Sequence, residues 1–454
     1  MTAIQTPVTG ETSLANMPKV IKGFTAETTT ISYPEAIEEA GRCYLCHDSP
    51  CREASPTKTD IAGIIARMRS RNFRGALRLV KETNFFPGIT SRVCPYDQQC
   101  EEACLRKKYG GPVRIAELER VLAEYDRNSK SPYLPEVPES INKTVAIVGS
   151  GPAGLSAAVE LVLNGCKVIM YESARIAGGV LTKGIPSYLI GDDVIEHEVG
   201  GVLELGVDLV TGINAGESIN LVSMKRSFDA LLLTIGMGVP RRLSVPGSGN
   251  GDIFTGLEIL ESLKLKEKRL RLGEKVVVVG GGNVSLDVVA ALLKLEIDDV
   301  TLLYRRDREH MKVFQSRYRL AKEMGMKIMF RTALKEIISI DQKTITEVVC
   351  QKTELKEKDE LQVVAEPIPG SDFTLPADTV IFSIGQDLDR ALVELFELET
   401  TEKGRIKVNP ETGQTSDPFI FAAGSCVERI DTVVGAIARG QETARKIVRK
   451  LLEA

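Results

Sequence analysis

One local plan, an apolar strand followed by a glycine-rich turn, a helix and a second strand, occurs twice in this chain. The first copy, TVAIVGSGPAGLSAAVELVLNGCKVIMYES, starts at Thr144. The second copy, EKVVVVGGGNVSLDVVAALLKLEIDDVTLLYRRD, starts at Glu274. A glycine turn between a buried strand and a helix is typical of nucleotide-binding units in doubly wound parallel sheets. The sequence therefore predicts an α/β protein with two Rossmann-like units.

The residues of the first copy have separate roles. Gly149 permits the tight turn, Gly151 lets the backbone approach a pyrophosphate, and Gly154 lets the helix pack closely. The helix N-terminus favours the anion through its unpaired amides and its dipole. Glu172 ends the second strand, where its carboxylate can accept hydrogen bonds from ribose hydroxyls. A purely structural glycine turn is the alternative to this dinucleotide site.

The second copy keeps two of the glycines and reverses the charge after its second strand. Gly280 and Gly282 take the first two glycine positions, whereas Ser285 takes the third, which predicts slightly looser helix packing. Arg305 and Arg306 replace the acid, and a guanidinium there suits the 2′-phosphate of NADP(H). An exposed basic pair without a ligand is the alternative. We expect a preference for NADP(H) over NAD(H).

Two such units in one chain are typical of flavoproteins in which FAD and a pyridine nucleotide meet so that hydride passes between them. The late stretch IFAAGSCVERIDTVVGAIARGQETARKI predicts a strand, a turn of small residues and a helix that return to the flavin. None of the three histidines stands in a recognisable catalytic setting, so no catalytic residue is assigned.

Six of the nine cysteines lie between Cys43 and Cys104. In a reducing cytoplasm, grouped cysteines indicate metal ligands or catalytic thiols more often than disulfides. A zinc ion held by four thiolates is one candidate, although six grouped thiols fit one zinc poorly. A redox pair of Cys43 and Cys46 is another, although it would be expected within reach of the flavin. The scattered cysteines are predicted to pack as small hydrophobic side chains: Cys166, Cys350 and Cys426.

The segment before the first unit has helical spacing and ends in a linker. Ser32 and Glu35 can form a capping box that starts a helix leading to Cys43. Apolar residues recur at helical spacing further along, and NSKSPYLPEVPESINK then carries three prolines, as linkers do. We predict these divisions: helical module 1–127, linker 128–142, FAD-binding domain 143–240 and 388–454, and inserted NADP(H)-binding domain 241–387.

Charge and hydropathy exclude other classes of function. The formal net charge of −4 gives no general attraction to nucleic acid or to an anionic membrane. The first residues lack the basic start and apolar core of a leader, and no apolar run approaches the roughly 20 residues needed to span a bilayer. We expect a cytoplasmic protein with no membrane insertion and no nucleic-acid partner.

Eight motifs, taken in order, carry a resemblance to a known family. They are RCYLCHDSPC, RNFRGA, RVCPYDQQCEEAC, GSGPAGL, GGVLTKGIP, GGGNVSLD, YRRD and TVVGAIARGQ. From about Ile31 onward the chain resembles the small, NADPH-oxidising subunit of glutamate synthase. It is more closely similar to the N-terminal flavin and iron–sulfur half of dihydropyrimidine dehydrogenase. Large subunits of bifurcating ferredoxin:NADP oxidoreductases are also similar.

This resemblance implies that FAD binds the first unit and the C-terminal segment, that NADP(H) binds the inserted unit, and that the helical module carries two 4Fe-4S clusters. The implied FAD contacts are Gly149, Gly151, Gly154, Glu172, Gly179, Gly424, Ser425, Thr432 and Val433. The implied NADP(H) contacts are Gly280, Gly282, Asn283, Arg305 and Arg306. One cluster takes Cys43, Cys46, Cys51 and Cys104, and the other takes Ser55, Cys94, Cys100 and Glu119.

Three places depart from the family pattern. Ser55 stands where the family has a cysteine, and thiolate is the usual ligand of such clusters, so we expect the second cluster to be weakened or absent. Ser425 replaces an aspartate that hydrogen-bonds the ribityl chain of the flavin, which predicts weaker FAD binding. HMKVF, from His310 to Phe314, replaces a Met-Pro-Ala run near the nucleotide.

Together these features predict an NADPH-oxidising, reversible electron-transfer subunit that passes electrons through FAD and a 4Fe-4S cluster. The sequence has no FMN barrel and no acid–base site for an organic substrate, so the final reduction is expected on a partner. The implied partners are a catalytic subunit containing FMN, within a hetero-oligomer, or a ferredoxin. The alternatives are a subunit of a bifurcating oxidoreductase and a non-catalytic binding protein with degenerate sites.

Overall fold

The computed structural model describes residues 30–214, 220–265, 270, 272–359 and 362–453. The predicted absence of a leader concerns N-terminal residues that lie outside this part of the chain. None of the described helices is long and apolar enough to cross a bilayer.

A helical module comes first. Its α-helices are α1 Tyr33–Gly41, α2 Pro50–Ala54, α3 Ile61–Arg69, α4 Phe73–Lys81, α5 Pro87–Val93 and α6 Ile115–Arg127, and its 3-10 helices are Tyr96–Gln98 and Leu105–Lys108. Helix α1 starts with the predicted capping box, because the Ser32 hydroxyl accepts from the Glu35 amide and the Glu35 carboxylate accepts from the Ser32 amide. Apolar side chains from α3, α4 and α6 then form a buried core, so the module packs on itself.

The strands and helices after the module follow in chain order. The strands are β1 Thr144–Val148, β2 Lys167–Glu172, β3 Asp208–Thr211, β4 Ala230–Leu233, β5 Val239–Pro240, β6 Ile253–Thr255, β7 Lys275–Gly280, β8 Asp299–Tyr304, β9 Lys327–Phe330, β10 Thr332–Ile340, β11 Thr344–Asp359, β12 Gln362–Pro376, β13 Thr379–Ser383, β14 Gln386–Asp387 and β15 Ile420–Ala422. The helices are α7 Pro152–Val162, α8 Val180–Lys183, α9 Asp192–Glu204, α10 Leu221–Ser227, α11 Gly256–Leu265, α12 Asn283–Lys294, α13 Gln315–Glu323, α14 Arg390–Leu395 and α15 Val433–Glu453.

Two parallel five-stranded sheets form the two predicted units. The first has the order β15-β4-β1-β2-β3, and the second has the order β6-β13-β7-β8-β9. Their central strands are apolar and buried, as parallel strands covered by helices on both faces must be. A separate antiparallel sheet of β10, β11 and β12 packs beside the second unit. The sequence thus predicted both parallel units, whereas their strand order depends on tertiary contacts.

The chain passes from the first sheet to the second and back through two short paired strands. Val239 lies opposite Asp387 and Pro240 lies opposite Gln386 in the antiparallel pair of β5 and β14. The Nε atom of Arg241 lies 2.8 Å from Oδ1 of Asp387 and joins the same two segments. The second unit is therefore an insertion into the first, with both crossings side by side.

Polar contacts fix the helical module on the first unit. The amide of Gly88, in α5, donates to Oε1 of Glu198, in α9, at 2.6 Å. The side-chain amide of Gln441, in α15, donates to the carbonyl oxygen of Thr83 at 2.9 Å. These contacts hold the cysteine-bearing loops close to the C-terminal helix of the first unit.

Candidate functional site

The first glycine turn leaves one open space, and it lies where a pyrophosphate is expected. Gly149 has a φ of +103°, and a Cβ atom there would lie 2.5 Å from the Thr234 carbonyl oxygen. A Cβ atom on Gly154 would lie 2.0 Å from the Gly149 carbonyl oxygen, so helix and turn touch. A Cβ atom on Gly151 would meet nothing within 4 Å, and no side chain caps α7. The amides of its first turn therefore remain available to an anion.

The Glu172 carboxylate holds the backbone of this turn in place through hydrogen bonds. Its Oε2 atom accepts from the Ser150 amide at 2.9 Å and from the Ser150 hydroxyl at 2.6 Å. Its Oε1 atom accepts from the Ala174 amide at 2.9 Å. Glu172 ends β2, as predicted, and it is buried. Glu172 thus fixes the shape of the anion-binding turn, a role that sequence reasoning missed, and its contact with ribose remains a prediction.

The C-terminal segment returns to the same place. A Cβ atom on Gly440, in α15, would lie 2.1 Å from the Ala153 carbonyl oxygen, so α15 presses directly on α7. The hydroxyl of Thr432 accepts from the Gly435 amide at 3.0 Å and caps the start of α15. A Cβ atom on Gly424 would lie 3.0 Å from the Ala153 Cβ atom. The predicted FAD contact Gly424 is thereby brought to the N-terminal end of α7, and Thr432 and Val433 stand at the start of α15, the helix that packs on α7.

Two further predicted FAD contacts differ in their surroundings. A Cβ atom on Gly179 would lie 2.8 Å from the Cα atom of Gly151, so the loop after β2 touches the phosphate turn. Ser425 uses its carbonyl oxygen to accept from the Arg405 guanidinium, whereas its hydroxyl has no hydrogen-bond partner among the described residues. The residues of this region fit FAD, because they surround the open space at Gly151.

The second glycine turn repeats the first. A Cβ atom on Gly280 would lie 2.2 Å from the Ser383 carbonyl oxygen, whereas one on Gly282 would meet nothing within 4 Å. Ser285 is fully buried and donates to the Ser383 carbonyl oxygen at 3.1 Å. The looser helix packing expected from Ser285 stays a prediction, whereas its hydroxyl bonds the neighbouring strand. The open backbone at Gly282 fits the pyrophosphate of a pyridine nucleotide.

Asn283 and the HMKVF stretch are joined. Oδ1 of Asn283 accepts from the Phe314 amide at 2.8 Å, and the Tyr304 hydroxyl donates to the His310 carbonyl oxygen at 2.8 Å. Met311 lies buried between these two anchors. The stretch that departs from the family pattern is therefore held against the nucleotide turn, and the Asn283 side chain takes part in holding it.

Arg305 and Arg306 follow directly after β8, at the position that reads the ribose in such units. Arg305 is exposed, and its guanidinium forms no hydrogen bond or ion pair with the described residues. The Nε atom of Arg306 is buried without a hydrogen-bond partner. An unpartnered donor and an uncompensated charge fit a phosphate, so the pair suits a 2′-phosphorylated nucleotide.

The four cysteines of the first predicted cluster lie together. Burial raises the pKa of the Cys43 thiol, and charges on Cys51, Cys104 and Cys46 raise it further. Sulfur atoms here accept hydrogen bonds, because the Leu45 amide donates to Sγ of Cys43 at 3.4 Å. Such hydrogen bonds tune the potential of iron–sulfur clusters. Thus the residues present fit a cluster with four thiolates.

The four residues of the second predicted cluster line one cavity, although its donors differ. Ser55, Cys94, Cys100 and Glu119 all lie on its wall. The Ser55 hydroxyl lies 3.1 Å from that of Thr57 and begins a hydroxyl chain that continues to Thr59. Only two thiols are present, and serine and carboxylate oxygens are hard ligands that suit iron–sulfur chemistry less well. This set does not fit a regular four-thiolate cluster.

Glu119 is held by donors that sequence reasoning did not find. The Thr90 and Tyr96 hydroxyls donate to its carboxylate in short hydrogen bonds, and the Asn84 side-chain amide donates at 3.1 Å. Burial raises the pKa of Glu119 to about 7, against the effect of these bonds. Burial also raises the pKa of Cys94 well above its usual value. Only Tyr96, which stands between two cysteines of its motif, could have been suspected from the sequence.

The cavity lies between the first cluster set and the flavin unit. Its wall includes Val434, which follows the predicted FAD contact Val433 in α15. On the other side, the charge on Cys51, from the first set, contributes to raising the pKa of Cys100. Within the described ranges, no three His, Cys, Asp or Glu side chains converge as the ligands of a single metal ion. In a 4Fe-4S cluster each ligand binds its own iron, so the donors need not meet at one point.

Two nucleotide units that share one chain with grouped cysteines define a class, the flavin-dependent oxidoreductases that use pyridine nucleotides. The family model described as pyridine nucleotide-disulphide oxidoreductase matches residues 143–440. The chain belongs to this family. A second model, described as dihydropyrimidine dehydrogenase domain II with a 4Fe-4S cluster, matches residues 20–131. The predicted fold class, FAD, NADP(H) and an iron–sulfur cluster are confirmed, and the 4Fe-4S match favours a cluster over zinc or a dithiol.

Curated relatives support the resemblance seen in the motifs. The NAD-dependent dihydropyrimidine dehydrogenase subunit PreT of Escherichia coli (strain K12) is 30% identical over 412 residues, which are 91% of this chain and 93% of that protein. The NADP(+)-dependent formate dehydrogenase subunit beta of Moorella thermoacetica is 31% identical, over 88% of this chain and 59% of its own length. The NADPH-Fe(3+) oxidoreductase subunit beta of Geobacter sulfurreducens is 32% identical, over 90% of this chain and 64% of its own length.

Solved structures agree on the fold. Mycobacterium tuberculosis FprA in complex with NADPH superposes with a TM-score of 0.58 at 17% identity, over 69% of this chain and 85% of that one. Thioredoxin reductase of T. acidophilum gives a TM-score of 0.52 at 18% identity, over 68% of this chain and 100% of that one. The two family models and the curated relatives together show that the chain is an NAD(P)H-dependent flavoprotein oxidoreductase with an iron–sulfur module.

Proposed function

We propose that this chain oxidises NADPH and passes the electrons through FAD and one 4Fe-4S cluster to a partner protein. The observation that carries the proposal is the opposite charge after the second strand of the two units, with Glu172 in one and Arg305 in the other. When bound, FAD accepts a hydride and releases its electrons singly, as iron–sulfur clusters require. The chain itself binds the two nucleotides at the turns around Gly151 and Gly282.

The preference for NADP(H) rests on Arg305 and Arg306. The names of the relatives include both NAD-dependent and NADP-dependent proteins, so they do not decide the question. A charge-assisted hydrogen bond to the 2′-phosphate favours NADPH, because NADH offers only a neutral hydroxyl at that place.

The route of electrons runs from the flavin to the first cysteine set. Cys43, Cys46, Cys51 and Cys104 hold the complete cluster, and the Ser55 cavity between them and α15 holds a weakened cluster or none. The same arrangement supports the predicted divisions, with the helical module at 1–127 and the NADP(H)-binding insertion at 241–387. A chain that carries electrons to a cluster near its surface needs an acceptor, and several relatives are named as subunits. A catalytic subunit containing FMN and a ferredoxin are the candidate partners.

Anaerobic reduction tests this proposal. The purified protein should be yellow-brown, and NADPH should bleach its flavin band more readily than NADH. Gly154→Ala should abolish FAD binding, because the added Cβ atom would lie 2.0 Å from the Gly149 carbonyl oxygen. Gly200→Ala is the matched control, because a Cβ atom there meets nothing within 4 Å. A wild-type protein without FAD after gentle extraction, or one whose flavin NADPH does not reduce, would favour the non-catalytic alternative.

A further inference from the structure

Two exposed segments beside the first cysteine set, a loop and the 3-10 helix Leu105–Lys108 with the residue after it, form an apolar surface, which we call the cysteine-flanking patch. It consists of Tyr44, Leu45, Leu105 and Tyr109, whose residues are 52%, 37%, 47% and 64% exposed. They are four of the sixteen large hydrophobic residues that are exposed in the described part of the chain. Single exposed hydrophobic residues are normal, but a group of them on two adjacent segments marks an interaction site.

Hydrogen bonds hold the two segments together as one surface. Nη1 of Arg106 donates to the Tyr44 hydroxyl at 3.0 Å, and the guanidinium carbon lies 5.3 Å from the centre of the Tyr44 ring. Nη2 of Arg42 donates to the carbonyl oxygens of Gly110 and Gly111 at 2.8 and 2.9 Å. The patch is therefore preorganised, and little side-chain freedom is lost when a partner covers Tyr44.

The charge around the patch is opposite to that of the whole chain. Residues 42–58 and 101–114 carry seven basic and four acidic side chains, and Arg42 and Arg114 pair with Glu39 and Glu117 outside these ranges. The basic side chains without an acidic partner among the described residues are Arg52, Arg106 and Lys108. Lys107 pairs with Glu102, but Lys108 forms no hydrogen bond or ion pair with the described residues. A basic rim around an apolar centre complements a partner whose contact surface is acidic.

We propose that the cysteine-flanking patch docks an acidic electron-carrier protein, whose own redox group lies near its surface within a rim of carboxylates. This proposal rests on the proposed function, because the patch serves electron transfer only if the first cysteine set holds the cluster. Tyr44 and Leu45 stand between Cys43 and Cys46, and Leu105 follows Cys104, so a docked carrier lies over the cluster ligands.

The electrons balance over two docking events. With a cluster held by Cys43, Cys46, Cys51 and Cys104, each event would transfer one electron from that cluster to one carrier. Two events therefore remove the two electrons of one NADPH, which leaves as NADP⁺ with release of one proton. A carrier must leave after each event, and small interfaces with polar rims are typical of such transient electron-transfer complexes.

The test measures binding without NADPH, so that it does not depend on turnover. The probe is an acidic plant-type 2Fe-2S ferredoxin, titrated calorimetrically into the anaerobically purified protein at low and at physiological salt. We expect Lys107→Glu/Lys108→Glu to weaken binding about tenfold, which corresponds to about 1.4 kcal/mol of binding free energy for the two reversed rim charges together. Arg449→Glu/Lys450→Glu, in the exposed last turns of α15, makes the same change of net charge and should leave binding unchanged. Tyr109→Ala should also weaken binding while bound iron stays constant.

Several results would overturn the proposal. They are no binding of ferredoxin by the wild type at low salt, equal losses in the two charge-reversal variants, and stronger sedimentation with phosphatidylserine vesicles than with ferredoxin. A wild-type dimer that Lys107→Glu/Lys108→Glu dissociates would assign the patch to a second copy of this chain. Failure of NADPH to bleach the flavin would instead contradict the proposed function, and the binding titration separates the two failures.

Discussion

Replacing Ser55 by cysteine should restore a missing ligand in the cavity between the flavin unit and the first cysteine set. The cavity already presents Cys94, Cys100 and Glu119 beside Ser55. Its serine is a poor ligand, because a hydroxyl loses its proton far less readily than a thiol does. With a third thiolate the site would have three soft sulfur ligands and one hard oxygen ligand, the Glu119 carboxylate. The wild-type site has two thiolates and two hard oxygen ligands, from Ser55 and Glu119.

The expected gain is about four iron atoms and four sulfides per chain, the content of one 4Fe-4S cluster. The substitution removes the hydrogen bond between the hydroxyls of Ser55 and Thr57, which are 3.1 Å apart. Such a bond contributes about 1 kcal/mol to folding stability, which is small beside the 5–15 kcal/mol typical of whole proteins. The variant should therefore fold, and a change in iron content reports the site itself.

Iron and sulfide should be counted after anaerobic reconstitution of the wild type, Ser55→Cys and Ser55→Ala under the same conditions. Ser55→Ala removes the same hydrogen bond without adding a thiol, so its iron content should equal that of the wild type or fall below it. A wild type that already holds a full second cluster, unchanged by Ser55→Cys, would refute the reasoning. It would mean that serine, another residue or a small ligand completes the cluster.

Two further substitutions test the nucleotide site and the contact between the module and the first unit. Arg305→Ala should raise the KM for NADPH on the order of tenfold to a hundredfold with little effect on the KM for NADH, since a lost charge-assisted bond costs about 1.5–3 kcal/mol. Arg308→Ala is the control, because the Arg308 side chain is already bonded to Gln315. Equal losses for both nucleotides in Arg305→Ala would contradict the assignment. Burial raises the pKa of Glu198 from its usual 4.5 to about 8, so the folded chain keeps a proton that the unfolded chain releases earlier as pH rises. The stability that protonated Glu198 contributes is present below about pH 4.5 and is lost as the pH rises through about 8. Over that range the Tm of Glu198→Gln should therefore fall less than the Tm of the wild type. Parallel Tm profiles of the two proteins would rule this out.

The sequence by itself determined the two nucleotide units and the start of the helical module. A Cβ atom would lie within 2.5 Å of a backbone atom at three positions, Gly149, Gly154 and Gly280. Glycine at these positions therefore predicts, from the sequence alone, that two backbone segments approach closely. Helix α1 begins at a capping box whose two members, Ser32 and Glu35, lie within four residues of sequence. Such features are predictable because periodicity, capping and steric exclusion are local properties of the chain.

Only the tertiary structure decided which residues lie around the grouped cysteines. Ser55, Cys94 and Glu119 come from three separate segments, and their shared cavity exists because the helices between them pack in one particular way. The donors around Glu119 have no spacing signal, since Asn84, Thr90 and Tyr96 lie 23 to 35 residues from it along the chain. The same holds for Ser285, whose hydroxyl bonds a strand 98 residues away. Residue type and spacing thus fix local geometry, whereas contacts between distant segments depend on how the elements pack.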